Sequence, residues 1–225
     1  MPTWITQPLS PPVPVTLAII GTAGRKGDAD RLNRGTYDLM VRGAKGMIAA
    51  LTKAGHPVSG LVSGGAAYGD HVAVALFLEG VVPALTLHLP CAFVSASEGF
   101  LDLGSNMGWY MNPGGTANAY HRKFAKRTGV ASLAEIAAAI ARGAKVEAGG
   151  GMFGRNDRVA RAGAALAITF GAGRVLNDGG TAHTMKTYLQ HANPDLSAHL
   201  DLNTGKLWPN ARVPGLPSKE SERDS

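Results

Sequence analysis

The stretch that decides the fold is Val15-Thr16-Leu17-Ala18-Ile19-Ile20, followed at once by Gly21-Thr22-Ala23-Gly24-Arg25. A near-continuous apolar run of this length suits a strand buried on both faces, as in a parallel sheet. The glycines directly after it form a tight turn. Apolar residues then recur at helical spacing (Leu32, Leu39, Met40, Met47, Ile48, Leu51), which predicts a helix from Asp28 or Asp30 to Ala54, stopped by Gly55. Residues 58–62 read as a second strand, Asp70 to Glu79 as a second helix, and residues 81–89 as a third strand closed by Pro90. Strand, helix and strand alternate with short connections, so right-handed crossovers place the strands parallel. The fold class is therefore α/β: a Rossmann-like, mostly parallel sheet with helices on both faces. Ligands of such sheets sit beyond the carboxyl ends of the strands.

After Pro90 the pattern changes. Residues 91–150 mix aromatics, glycines and the basic run Tyr120-His121-Arg122-Lys123-Phe124-Ala125-Lys126-Arg127. They read as an inserted segment, a lid over the ligand face. Within it, Ser132 to Arg142 predicts a short helix, with Ser132 as N-cap and Glu135 completing a capping box. The regular pattern resumes with a helix over 155–162, a strand over 165–170, and the turn Asp178-Gly179-Gly180-Thr181 opening a helix to about His191. A last short strand falls at 198–202. Residues 1–14 carry prolines and read as an extended arm, 15–208 as one domain, and 209–225 as a polar, mobile tail.

The chain has 225 residues, enough for one full core. Its net charge of +6 favours anionic partners without choosing between a small phosphate and nucleic acid, and it also aids solubility. The single cysteine, Cys91, excludes an intrachain disulfide and fits a cytoplasmic setting; it reads as a small packed residue, with His88 the nearest base in sequence. No signal peptide is expected from the proline-rich start, no apolar run is long enough to span a bilayer, and no membrane partner is expected. The seven histidines show no zinc spacing, so no metal is expected.

Three glycine clusters, at 21–24, 64–65 and 179–180, each lie between a strand and a helix. Glycine lets a backbone approach a phosphate, and free N–H groups at a helix start donate to it. The same residues also serve bare crossover turns. The first cluster is not a proper Gly-x-Gly-x-x-Gly fingerprint and no Gly-Lys-Ser/Thr Walker loop occurs, so a standard NAD site or P-loop NTPase is disfavoured and no cofactor is expected.

The segments Val62-Ser63-Gly64-Gly65-Ala66-Ala67-Tyr68-Gly69-Asp70, Arg155-Asn156-Asp157-Arg158 and Gly179-Gly180-Thr181 with Thr184 together resemble the SLOG superfamily. The similarity is closest to its YspA-like and DNA-processing (Smf/DprA-like) branches. It covers about 15–90 and 150–192 and leaves 91–150 unexplained. It implies a nucleotide or nucleotide-derived ligand. Gly21, Thr22, Gly24 and Arg25 would meet that ligand from the first loop, and Ser63, Gly64 and Gly65 from the second. Arg155 and Asn156 would contact phosphate or ribose, and Gly179, Gly180, Thr181 and Thr184 would cradle the phosphate. It also implies a homo-oligomer. The related LONELY GUY phosphoribohydrolases carry a glutamate where this chain has Lys186, which leaves N-glycosidic hydrolysis an open expectation. A carboxylate for that chemistry would come from Glu98, Asp102, Asp70 or Glu79, although Asp70 also suits a helix N-cap and Glu79 a solvated helix end. His183, in the first turn of its helix, is a candidate ligand contact, and His121 is expected to be exposed. The alternative function is single-stranded nucleic-acid binding through 120–127, with Tyr120 and Phe124 stacking among the cations. The bland counterpart is a solvated helix face.

Overall fold

The computed structural model describes residues 11–213 apart from Lys26, Ser105, Asn106, Trp109 and Asp178. Two sequence expectations thus fall partly outside the described residues: the arm over residues 1–10 and the tail over 214–225. The Asp178 position of the third glycine turn also lies outside them.

A seven-stranded sheet forms the centre. Strands β1 (Val15–Gly21), β2 (Val58–Ser63), β3 (Leu85–Leu89), β6 (Lys145–Ala148), β7 (Ala164–Thr169), β8 (Ser197–Asp201) and β9 (Lys206–Pro209) lie in the order β6-β3-β2-β1-β7-β8-β9. All neighbours are parallel except β8 and β9. A separate antiparallel pair, β4 (Phe93–Ser95) and β5 (Gly99–Phe100), follows β3. The protein is thus a Rossmann-like α/β fold.

The helices divide between the two faces. On one lie α2 (Arg34–Lys53), α3 (His71–Leu78), α4 (Pro113–Thr128) and α5 (Ser132–Ala141), packed on Leu17, Ile19, Leu61, Leu87, Leu166 and Ile168. On the other lie α6 (Gly151–Val159) and α7 (Gly180–His191), packed on Ala18, Ile20, Ala165 and Ala167. Alternate residues of a strand face opposite ways. The apolar runs therefore hide a division by size: β7 presents leucine and isoleucine to one helix layer and alanine to the other.

Several boundaries differ from the sequence expectation. The helix expected from Asp28 or Asp30 is broken into α1 (Asp28–Arg31) and α2 by an extended Leu32, whose side chain is buried. Asn33 then caps α2, accepting from Thr36 N at 3.0 Å. The expected capping box at Ser132 does not form. Ala131 occupies the N-cap, and the Ser132 hydroxyl is instead 2.9 Å from His121 Nδ1. The tail expected from Pro209 is packed down through Val213: β9 pairs with β8, Leu176 N donates to Arg212 O at 3.0 Å, and Ala211 and Val213 are buried. Of the 91–150 segment, β6 extends the main sheet and α5 packs on α3, so part of it is the crossover from β3 to β6.

Candidate functional site

The chain runs outward from β1 through β2 and β3 to β6, then returns to β7 on the other side of β1. That reversal is the switch point at which a crevice opens beyond the carboxyl ends of the strands. A cavity of about 570 Å³ lies there, a volume suited to a small ligand. Of the residues expected at the site, Gly21, Thr22, Arg25 and Gly65 line it from the first two loops. Arg155 and Asn156 line it from α6, and Gly179, Gly180, Thr181 and Thr184 from the start of α7. Gly24, Ser63 and Gly64 are not on its wall.

Those three hold the loops in shape. Gly24 turns the chain at φ +82° against Leu32. The Ser63 hydroxyl is fully buried, donates to Asp70 O at 2.7 Å and accepts from Gly65 N at 3.1 Å. Gly64 leaves a gap: a Cβ there would meet Asp70 Oδ2 at 2.7 Å and Arg155 Nε at 2.9 Å. The first two loops also interlock. A Cβ on Gly21 would fall 2.7 Å from Gly69 Cα, and Gly69 N donates to Thr22 O at 3.3 Å. Asp70 occupies the N-cap position of α3, but its carboxylate caps nothing there and accepts from Gly21 N at 3.0 Å. Burial pushes the Asp70 carboxyl above its ordinary range, against the opposing pull of Arg155 and of the Gly21, Ala66 and Gly64 N–H groups.

Arg155 is held rigidly. Its Nε and Nη2 donate to Asn156 Oδ1 at 3.1 and 2.8 Å, and its Nη1 to Gly64 O at 3.3 Å. A guanidinium has five N–H donors, so one remains on each terminal nitrogen. Burial lowers the Arg155 pKa, Asp70 raises it, and the nearby charges of Arg25 and Arg158 lower it. Arg25 and Arg158 thus place positive charge beside Arg155. Asn156 is buried, and its Nδ2 lies toward the α7 start, 3.9 Å from where a Gly180 Cβ would sit. Gly179 adopts φ 131°, and no side chain caps α7 among the described residues. His183 N is the first amide to bond back along the helix, to Gly179 O. The N–H groups of Gly180, Thr181 and Ala182 thus have no intrahelical acceptor.

Other expectations are corrected by the packing. His121 is buried rather than exposed: its Nε2 is 3.0 Å from Gly65 O and its Nδ1 faces Ser132. Phe124 is also buried, and Arg127 is tied to Asp30 at 3.1 Å and to the carbonyls of Ala29 and Leu32. The basic run is therefore the outer face of an anchored helix, with Arg122, Lys123 and Lys126 exposed. His183 lies outside the cavity wall, 3.6 Å from Asp157. Lys186 is exposed and off the wall. Of the proposed carboxylates, Glu79 pairs with Lys45, Asp102 bonds Asn112, and Glu98 faces Ser95; only Asp70 reaches the cavity. Cys91 is half-buried, with its thiol pushed up by burial, and His88 is engaged by Glu147 at 3.2 Å.

Nothing in the sequence marks Asp28 for the cavity, and it offers Tyr120 for stacking on a nucleic-acid strand rather than for lining this cavity. Asp28 lines the cavity, and its Oδ2 accepts from the Thr22 hydroxyl at 2.6 Å. Tyr120 reaches the cavity from α4, together with Ala117 one turn earlier. The signal for α4 was Asn112-Pro113. Asn112 Oδ1 accepts from Gly115 N at 3.0 Å, and Pro113 takes the first helical position. Among the described residues no group of three or more His, Cys, Asp or Glu side chains gathers as a metal site, and no helix is long and apolar enough to cross a membrane.

No family model matches the chain. It is 32% identical over 148 residues to the uncharacterized protein R261 of Acanthamoeba polyphaga mimivirus, a match covering 65% of this chain and 76% of the viral protein. The chain belongs to the same family as that protein.

Proposed function

We propose that the cavity binds a nucleotide or a nucleotide-derived phosphate ligand, as the SLOG resemblance implies. The observation that carries this reading is the start of α7, uncapped among the described residues, lining one cavity with the fixed donors of Arg155 and Asn156. Helix N–H groups without an intrahelical acceptor, beside a pre-positioned guanidinium and an amide, make a site for an anion with several acceptor oxygens. The small ligand is favoured over single-stranded nucleic acid because Phe124 is buried and Arg127 is already engaged. Release of a base by the same pocket would fall to Asp28, the other carboxylate on its wall, since Asp70 is turned to Gly21. Chromatography of the nucleotide after incubation reads that activity directly.

The binding test is calorimetry against nucleoside mono- and diphosphates with the wild type and Arg155→Ala. Loss of a charge-assisted bond costs about 1.5–3 kcal/mol, so affinity should fall roughly 10- to 100-fold. Absence of binding across the panel, or full affinity in Arg155→Ala, overturns the proposal.

A further inference from the structure

We propose that Tyr120 is the stacking surface for the ligand's base, and that the pocket selects a nucleoside phosphate over a bare sugar phosphate. This rests on the nucleotide reading above and adds the direction in which the ligand lies.

The cavity differs chemically at its two ends. Asn177 and the Gly179–Thr181 turn follow β7, on one side of β1. Pro90 follows β3, on the other side, and its carbonyl accepts from Gly151 N beside Met152 of α6, while Ala117 and Tyr120 line the cavity from α4, whose His121 reaches Gly65 O beyond β2. From β7 to β3 is three strand spacings, roughly 14 Å at the usual separation. One end therefore offers backbone N–H groups and the other offers apolar and aromatic surface. A ligand matching both has an anionic group at one end and a flat apolar group at the other. Inorganic phosphate and ribose phosphates satisfy the first end only.

Tyr120 is built to serve as a fixed wall. Its neighbour His121 is locked between Gly65 O and the Ser132 hydroxyl. Phe124, one turn on, is fully buried against Tyr37, Tyr68 and His71. Asn118 grips Phe100 through both its N–H and its carbonyl, at 2.8 Å each. The backbone that carries Tyr120 is thus held on three sides, while its ring remains only partly covered. Among the described residues no aromatic ring packs on it, and its recorded cationic neighbour is Lys123, with Nζ 5.8 Å from the ring centroid. A stiff ring with a partly open surface is what a base needs, because stacking is tolerant of base identity and loses little side-chain freedom. Tyr120 also lies in the 91–150 segment, outside the part of the chain that carries the family resemblance.

The test is calorimetry on the full chain with adenosine and guanosine monophosphate, ribose 5-phosphate and inorganic phosphate. The wild type should bind either nucleotide at least tenfold more tightly than ribose 5-phosphate. Tyr120→Ala should remove that advantage and leave ribose 5-phosphate affinity unchanged, which also shows that the phosphate end is still folded. Tyr120→Leu, which keeps apolar volume without a π face, should behave like Tyr120→Ala. Tyr120→Phe and Tyr120→Trp should retain the preference. Equal affinity for nucleotide and ribose 5-phosphate in the wild type, or a preference that survives in both Tyr120→Ala and Tyr120→Leu, overturns the stacking role while leaving phosphate binding intact. If none of the four ligands binds the wild type, the nucleotide reading itself falls, and the stacking role with it.

Discussion

Acid should unfold this protein earlier than its carboxylates alone would dictate, because histidines, His121 and His71 among them, are buried in neutral form. His121 is the clearer case. Its Nε2–H donates to Gly65 O, so Nδ1 is the acceptor for the Ser132 hydroxyl, and burial lowers its pKa from 6.5 to about 4. His71 lies beside it, with ring centroids 6.5 Å apart, and burial, followed by the His121 charge, lowers its pKa to about 3. Glu135 is 3.4 Å from His71 Nε2 and would favour the cation, but its own carboxyl is pushed up by burial and by Glu79. No carboxylate opposes the shift at His121.

The sign follows from which state takes up protons first. Below pH 6.5 the unfolded chain protonates these rings while the fold refuses them. Stability is therefore intact above that pH and falls as pH drops, until the folded pKa is reached near 4 for His121. At pH 5 each ring costs about 2 kcal/mol, so the pair removes roughly 4 kcal/mol from a fold worth about 5–15. Urea unfolding at pH 8 and pH 5 reads this, with His121→Gln as the comparison. The variant will be weaker at pH 8, since one of two hydrogen bonds is lost, but its fall between the two pH values should be smaller by about 2 kcal/mol. An identical fall in wild type and variant would refute the reasoning, whatever their absolute stabilities.

Gly21→Ala should lower the melting temperature by several degrees, because its Cβ would lie 2.7 Å from Gly69 Cα and 3.0 Å from Ile168 O, backbone atoms that cannot swing aside; an unchanged melting curve would show the loops are not interlocked. Ser132→Ala and His121→Gln should be coupled in a double-mutant cycle by 0.5 kcal/mol or more, roughly, whereas a serine acting as a helix cap would give additive losses. Lys186→Glu should leave nucleotide affinity within about twofold, since the side chain is exposed and off the cavity wall; a large change in calorimetry would place it at the ligand.

The strands that were legible are those buried on both faces. β1, β2 and β7 show as apolar runs because both sides of each are covered by helices. The edge strands were not legible for the complementary reason. β6 is Lys-Val-Glu-Ala with three of its four residues exposed, so no run marks it, and β9 ends on Pro209, which suits an edge but reads as a loop. The α4 helix was obscured by Gly114 and Gly115 in its first turn. Gly115 has a spatial reason, since a Cβ there would meet Asn112 Nδ2 at 2.7 Å and Asp102 Oδ1 at 2.9 Å, the hydrogen-bonded pair that orients the capping Asn112. Low helix propensity here records close packing.

The site divides in the same way. Residues that meet the cavity through a turn were readable as a group, because glycine clusters between strand and helix mark the loops there, although Gly24 and Gly64 proved to shape those loops rather than line the wall. Residues whose direction is set by distant chain were not. Asp70 looks like a cap from its place in sequence, yet it reaches across to Gly21, 49 residues away, and fixes the floor between two loops. His121 looks like part of a charged surface, yet one ring nitrogen holds Gly65 from 56 residues away. These contacts tie the loops around the cavity to distant parts of the chain through buried polar bonds. The pocket is therefore ordered by the fold, and a ligand entering it need not supply the entropy of arranging Arg155, Gly65 or the α7 start. That is why the energetic weight of Asp70 and His121 should appear mainly in stability and that of Tyr120 mainly in affinity, while Arg155, which also offsets the Asp70 charge, should contribute to both.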